Sequence, residues 1–510
     1  MTQASIPAAE DDNLRLAPML ILKWAGDGAA DPSKIGEAAK LAQAAALAAV
    51  KRWPDIYRGP GRARLICCDD NAPPAAAIEV AKRNGVEVEG HCGVWSACDA
   101  ALLTRADFSG LSRRLPALVA EAGAPPQLAI DVSAEPALDS APPRRFGAAA
   151  SPEAIAEALL APPRRLGDRR DLVEYQREDL RRRAFRFEYA LLLRLIGERP
   201  EGASKADDSW RRAAAFNAAA SVDRSQALER LRREHERADA LALAYGRRWR
   251  STLAARSFLL FAANFASGFV GVLFPVASAV TLPLQFALTG LLYLDQHVAR
   301  RSRWRIKWLD YRRAAEAARI ARFCLLAGIS PPEPDSGSWV DWRLKRELRG
   351  APAAAISEAD ASDFLAYLAE TEITPQIAYH RVAHRRFRRL DSRLRRAALT
   401  VLLATATIGA GLAAVALSGL LRAPVSLLAA VGLALSAGPG LSAALGGLRI
   451  QLDVVRQAAR SARIGLALRR LRRAIAESPP SAGLARGAAR RAAEIMLDDV
   501  SAWDRAMEIV

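Results

Sequence analysis

SFLLFAANFASGFVGVLFPVASAVTLPLQFALTGLLYL, residues 257–294, holds no charged side chain over 38 positions. That is too long for one membrane-crossing helix and suits two joined tightly, since about 20 apolar residues cross a bilayer core. Pro275 and Pro283 bracket the turn, because proline ends helices more readily than it continues them. A second uncharged stretch covers 397–421 and a third 423–448, parted only by Arg422 beside Pro424. No soluble helix pair is expected to be apolar around its whole circumference for so long. The pattern therefore predicts a mainly α membrane protein with two transmembrane helical hairpins, four spans in all, at 257–295 and 397–448.

Arginines frame these stretches. Arg247, Arg248, Arg250 and Arg256 precede the first, and Arg300, Arg301, Arg303 and Arg305 follow the second. Arg385, Arg386, Arg388, Arg389, Arg393, Arg395 and Arg396 precede the third, and Arg449, Arg456 and Arg460 follow the fourth. The bias places both termini and the central segment in the cytoplasm of a multi-pass inner-membrane protein, with the lipid bilayer as partner. A net charge of +18 then reflects membrane flanks, and no nucleic acid is expected as a partner. No acid or base lies near the middle of a stretch, which disfavours an ion-coupled transporter. Ser267 with Gly271, and Gly432 with Ser436 and Gly440, form small-residue stripes for close helix packing, within one chain or in a homo-oligomer. Pro439 predicts a kink.

Upstream the periodicity changes. PMLILKW (18–24), ARLICC (63–68), VEVEG (86–90) and QLAIDVS (127–133) read as strands separated by alanine-rich helical patterns. That alternation predicts an N-terminal Rossmann-like α/β domain over 1–135, with ligands beyond the strand ends. The candidate ligand residues are Gly26, Asp27 and Gly28 after the first strand, and Asp69, Asp70 and Asn71 after the second. Asp69 and Asp70 suit a ribose hydroxyl or a metal-bound phosphate, and suit equally the capping of the next helix. The GDG turn lacks the full G-x-G-x-x-G spacing. A nucleotide is the cofactor class such a site would take.

A proline-rich linker is expected at 136–167, cytoplasmic helices at 168–256 and 296–396, and C-terminal helices at 449–510. No catalytic constellation emerges. His91, Cys92 and Cys98 lack a second half for a metal site, and the pair His380 and His384 lacks a carboxylate or thiolate companion. Four of the five cysteines lie in the N-terminal region, without redox spacing.

Several segments occur in a telling order: FEYALLLRLIG (187–197), YGRRWRSTLAARSFLL (245–260), RRSRWRIKWLDYRRAAEAARIARF (300–323), SWVDWRLKREL (338–348), QIAYHRVAHRRFRRLDSRLRR (376–396) and AAEIMLDDVSAWDRAMEI (492–509). Over roughly 170–510 the chain resembles bacterial SLATT-type membrane proteins, two-TM effectors associated with SLOG and nucleotidyltransferase systems. The resemblance implies a membrane-anchored sensor-effector in a nucleotide-linked stress or phage-defence system. Its N-terminal domain would sense a ligand or partner, and its hairpins would act as effector. Here the family's glycine-rich loop is reduced to AGDG and its later acidic turn appears as DDNAPP, a degenerate SLOG-like module. The alternatives in other classes are a membrane-tethered nucleotide-processing enzyme using Asp69 or Asp70, and a pore-forming protein.

Overall fold

The computed structural model describes residues 19–24, 32–54, 56–57, 62–67, 83, 87–89, 101–103, 129–131, 151, 153, 166–178, 186–198, 208–217, 222–273, 278–329, 331–332, 338–348, 356–417 and 425–507. The strands are β1 (Met19–Trp24), β2 (Arg62–Cys67), β3 (Glu87–Glu89), β4 (Ala101–Leu103) and β5 (Ala129–Asp131). They form one parallel sheet in the order β3-β2-β1-β4-β5, with Leu22 beside Leu65 and Leu102. Between β1 and β2 runs α1 (Pro32–Arg52). Pro32 at its first position suits a helix start, alanine fills its interior, and Lys51 and Arg52 complement the carbonyl end.

A doubly wound Rossmann-like domain needs helices on both faces of its sheet. Among the described residues the connections of this sheet supply α1 alone as a full helix, and three of the five strands are three residues long. The expected Rossmann-like domain is therefore not shown and is withdrawn.

The rest of the described chain is helical: α2 (Leu166–Arg177), α3 (Glu188–Leu195), α4 (Ser209–Phe216), α5 (Val222–Leu273), α6 (Ser278–Arg301), α7 (Trp304–Ala327), α8 (Trp339–Leu348), α9 (Ala361–Tyr367), a π-helical turn (Leu368–Ile373), α10 (Thr374–Leu417), α11 (Val425–Gln451), α12 (Val454–Glu477) and α13 (Ala482–Met507). Two stops follow from glycine. Gly197 and Gly328 take positive φ, and the next amides, of Glu198 and Ile329, reach back to the Leu193 and Cys324 carbonyls.

Among the described residues no helix is long and apolar enough to cross a membrane. This overturns the expected four spans and, with them, the multi-pass inner-membrane placement with cytoplasmic termini. The physical reason lies in what the uncharged stretches are made of. The first carries Asn264 between two phenylalanines. Helix α6 also holds Pro283 and Gln285 and ends in Asp295, Gln296, His297, Arg300 and Arg301.

The helical part repeats itself. A long helix (α5, then α10) is followed by a shorter one (α6, then α11), a two-residue break and a 24-residue helix (α7, then α12). The breaks share one hydrogen-bond pattern. Amides 302, 303 and 307 bond to carbonyls 298, 300 and 303, and amides 452, 453 and 457 to carbonyls 448, 450 and 453. In both, the residue before the last helix is left-handed, Arg303 at φ 52° and Asp453 at φ 49°. The α12 positions Val454, Ser461, Ile464, Gly465, Leu468 and Ile475 are buried, and so are Trp304, Tyr311, Ala314, Ala315, Ala318 and Leu325, each 150 earlier.

The core lies between α5 and α7 and gathers α2, α4, α8, α9, α13 and the end of α1. A run of alanines on α7 (314, 315, 317, 318, 321) lets neighbouring backbones come close. At Gly246 on α5 a Cβ would stand 2.8 Å from Trp308 Nε1. By contrast α6 packs chiefly on α5, and its outer face leaves Phe286 76% and Tyr293 71% exposed.

Candidate functional site

The expected ligand residues Gly26, Asp27, Gly28, Asp69, Asp70 and Asn71 lie outside the described residues, as do His91, Cys92 and Cys98. For the packing stripes, the backbones of Ser267, Gly271, Gly432 and Ser436 fall on α5 and α11, and their side chains lie outside the description. Gly440 on α11 faces Phe261 of α5. The tightest approach among the described glycines is at a residue the stripe omits. A Cβ on Gly438 would overlap the Thr405 side chain of α10. Pro439 sits within α11. Gly438→Ala is expected to destabilise the chain by about 1–3 kcal/mol through overpacking, with recovery in Gly438→Ala/Thr405→Ala, both read from urea midpoints.

What sequence reading missed is a set of charged side chains gathered inside the helical part. The first cluster centres on Glu178, just past α2. Its carboxylate accepts from Tyr245 Oη, from Lys307 Nζ at 3.1 Å and from Tyr311 Oη at 3.4 Å. Lys307 also meets Glu174 at 3.3 Å, and Arg237 donates to the carbonyls of Tyr175 and Glu178. Burial, reinforced by Glu178, pushes the Tyr245 phenol up to about 12. Burial works against the Lys307 ammonium, yet Glu178, Tyr245 and Glu174 outweigh it and leave its pKa raised. Beside this cluster Arg303 forms a two-pronged pair with Asp171 of α2, one prong from Nη2 to Oδ2 at 2.9 Å.

A second cluster joins α2, α5 and α8. Arg343, 3% exposed at its side chain, donates to Glu234 at 3.0 Å and pairs with Glu347 at 3.0 Å. Tyr175 Oη donates to the other Glu234 oxygen at 2.8 Å. Burial favours the neutral Glu347 carboxyl and raises its pKa, against the pull of Arg343. The third cluster uses the π-helical turn, whose wider winding re-aims side chains relative to an α-helix. Glu372 accepts from Arg322 at 2.7 Å and from Tyr367, while Arg322 also reaches Ser209 and lies 4.3 Å from the Trp210 ring centre. A fourth centres on Glu316. Burial opposes its charge, but Arg312, Arg319, His235 and His380 hold its carboxyl down at about 2.

The two histidines four apart part ways. His380 is buried in the field of Glu316, and His384 Nδ1 lies 2.8 Å from the Ala458 carbonyl of α12. No group of three or more His, Cys, Asp or Glu suited to a metal occurs among the described residues. Cys324 is buried, and burial raises its thiol pKa, which leaves a thiol and not a thiolate nucleophile.

Many framing arginines turn out to be specific. Arg186 and Arg256 converge on Asp295, Arg449 pairs with Asp391, and Arg389 and Arg393 meet Glu198. One carboxyl strains against its setting. Burial pushes Asp310 up to about 6, opposed by Arg313 and by the Trp339 indole, 3.5 Å away. A folded-state pKa above the ordinary value favours folding only while the group is protonated. The contribution is full below about 3.8 and is lost as pH rises through about 6. Asp310→Asn is therefore expected to be more stable than the parent at pH 7.5, by at most about 3 kcal/mol for a shift of this size. The gain should fade as pH drops toward 4, as thermal melts across that range would record.

Compared with known proteins, the chain matches no family model, no curated protein and no solved structure.

Proposed function

We propose that the chain is a sensor-effector without turnover of its own, in which the N-terminal sheet part receives a ligand and the helical part responds. One observation carries the reading, which is that α1 belongs to two bodies at once. It packs on β1 and β2, while Ala45, Ala49 and Trp53, with Tyr57 just beyond, lie in the core of the helical part. Tyr57 meets Trp342 of α8 at 6.1 Å between ring centres. The start of α1 follows the strand end where parallel sheets take their ligands. A ligand there would act on a helix whose far end is already seated in the helical core.

The charged clusters support the same reading. Their carboxylates are committed to fixed arginine, lysine and tyrosine partners, which suits defined packing between helices more than acid-base chemistry. The resemblance to SLATT-type sensor-effectors points to a nucleotide-type ligand. The test uses the full chain and a panel of common nucleotides. A nucleotide that raises the melting temperature should also slow hydrogen exchange over Trp339–Leu348, the helix that touches Tyr57. If no nucleotide shifts melting, the ligand is not of this class. Stabilisation that leaves α8 exchange unchanged would remove the coupling.

A further inference from the structure

We propose that the Asp171–Arg303 ion pair is a latch that holds the left-handed break between α6 and α7 and so fixes the posture of α6. Arg303 is a residue with a Cβ in the left-handed region, which such residues seldom occupy unless their surroundings impose it. The carboxylate of Asp171 grips its guanidinium from another element, α2, and so holds the residue in place. Neighbouring contacts tie α2 firmly to the body. Tyr175, one turn on, packs 4.9 Å from Trp339 and 5.2 Å from Tyr311, ring centre to ring centre.

The break has a natural second state. Returning Arg303 to the right-handed region would join Ser278–Ala327 into one continuous helix, a conformation with no steric penalty at that residue. Of the two helices that meet at the break, α7 lies in the core, whereas α6 leans chiefly on α5 and carries an exposed outer face, so α6 is the one free to shift when the break changes. The equivalent break at Asp453 is built differently. Its ion pair is with Arg456, three residues along in the same helix, at 3.7 Å. A clamp from another element therefore marks the first break, where α2 ties it to the core that also seats α1. The latch rests on the sensor-effector reading only for what would release it.

The experiment is hydrogen-deuterium exchange on the full chain with no ligand added, followed over 296–306 and 446–456. Asp171→Asn is expected to speed exchange over 296–306 by about tenfold and to leave 446–456 unchanged. Arg303→Ala keeps the left-handed cost and loses the clamp, whereas Arg303→Gly loses both. The alanine variant should therefore exchange about fivefold faster than the glycine variant over 296–306. Parent-like exchange in Asp171→Asn, or equal exchange in the alanine and glycine variants, would overturn the latch. Should Asp171→Asn loosen the whole chain, the alanine-glycine comparison decides alone. Because no ligand is present, failure here leaves the nucleotide experiment standing, and the reverse also holds.

Discussion

Arg343→Met is expected to cost the chain about 3–5 kcal/mol, the usual penalty for removing one member of a buried ionic group. The reason is what remains. Glu234 and Glu347 both face Arg343, and both sit in a core that also holds Tyr175 and Trp339. Without the guanidinium, two carboxylates would share a dry site, with Arg230 3.9 Å from Glu347 and itself part-exposed. Each could stay ionised only at the cost of burial and mutual repulsion. Ionisation of both then costs most, so the deficit against the parent should be largest at neutral pH and should shrink as pH falls and the carboxyls take up protons. Urea midpoints at pH 7.5 and pH 5 would show it. The triple change Arg343→Met/Glu234→Gln/Glu347→Gln should recover much of the loss at pH 7.5. An equal deficit at both pH values would mean that lost packing, and not charge, sets the effect.

Glu372→Ala should be comparably damaging, for the opposite charge. It strands Arg322, whose side chain is 1% exposed and lies over the Trp210 ring. A buried guanidinium cannot shed its proton, so this deficit should persist across the pH range where the Arg343 deficit fades. A loss of about 3–5 kcal/mol is expected, with Glu372→Gln milder because its amide oxygen can still accept from Arg322. Pairing Glu372→Ala with Arg322→Met should return stability toward the parent. Non-additivity of the two single changes, read from denaturation midpoints, is the signature of direct coupling.

How much of this was legible in sequence depended on the distance over which each signal acts. Local punctuation could be read directly. Pro479 and Pro480 separate α12 from α13, and the PPEPDSGS run falls between α7 and α8. The PMLILKW, ARLICC, VEVEG and QLAIDVS runs carry β1, β2, β3 and β5, whereas β4 at Ala101–Leu103 is not read from the sequence. Within the helical segment expected at 168–256, α2 ends at Arg177 and α3 starts at Glu188. Absence of charge over 257–294, 397–421 and 423–448 predicts four spans, which the described helices do not show. The charged clusters could not be foreseen, since Arg343 meets Glu234 across 109 positions and Arg393 meets Ile196 across 197. A solvated helix face and a buried ionic group look alike in a one-dimensional string. One clue was present: WVDWRLKREL puts five charges among five apolar residues on α8, where burial of one face must enclose some of them.

The repeated helix-break-helix unit has a consequence for stoichiometry. In a protein with one such unit, the contact that α5 makes with α11 would have to form between separate molecules, and dilution would weaken it. Here both partners lie on one polypeptide, so the pairing is unimolecular, always one to one, and independent of expression level. The two units also differ where they break, Arg303 clamped from another helix and Asp453 paired within its own.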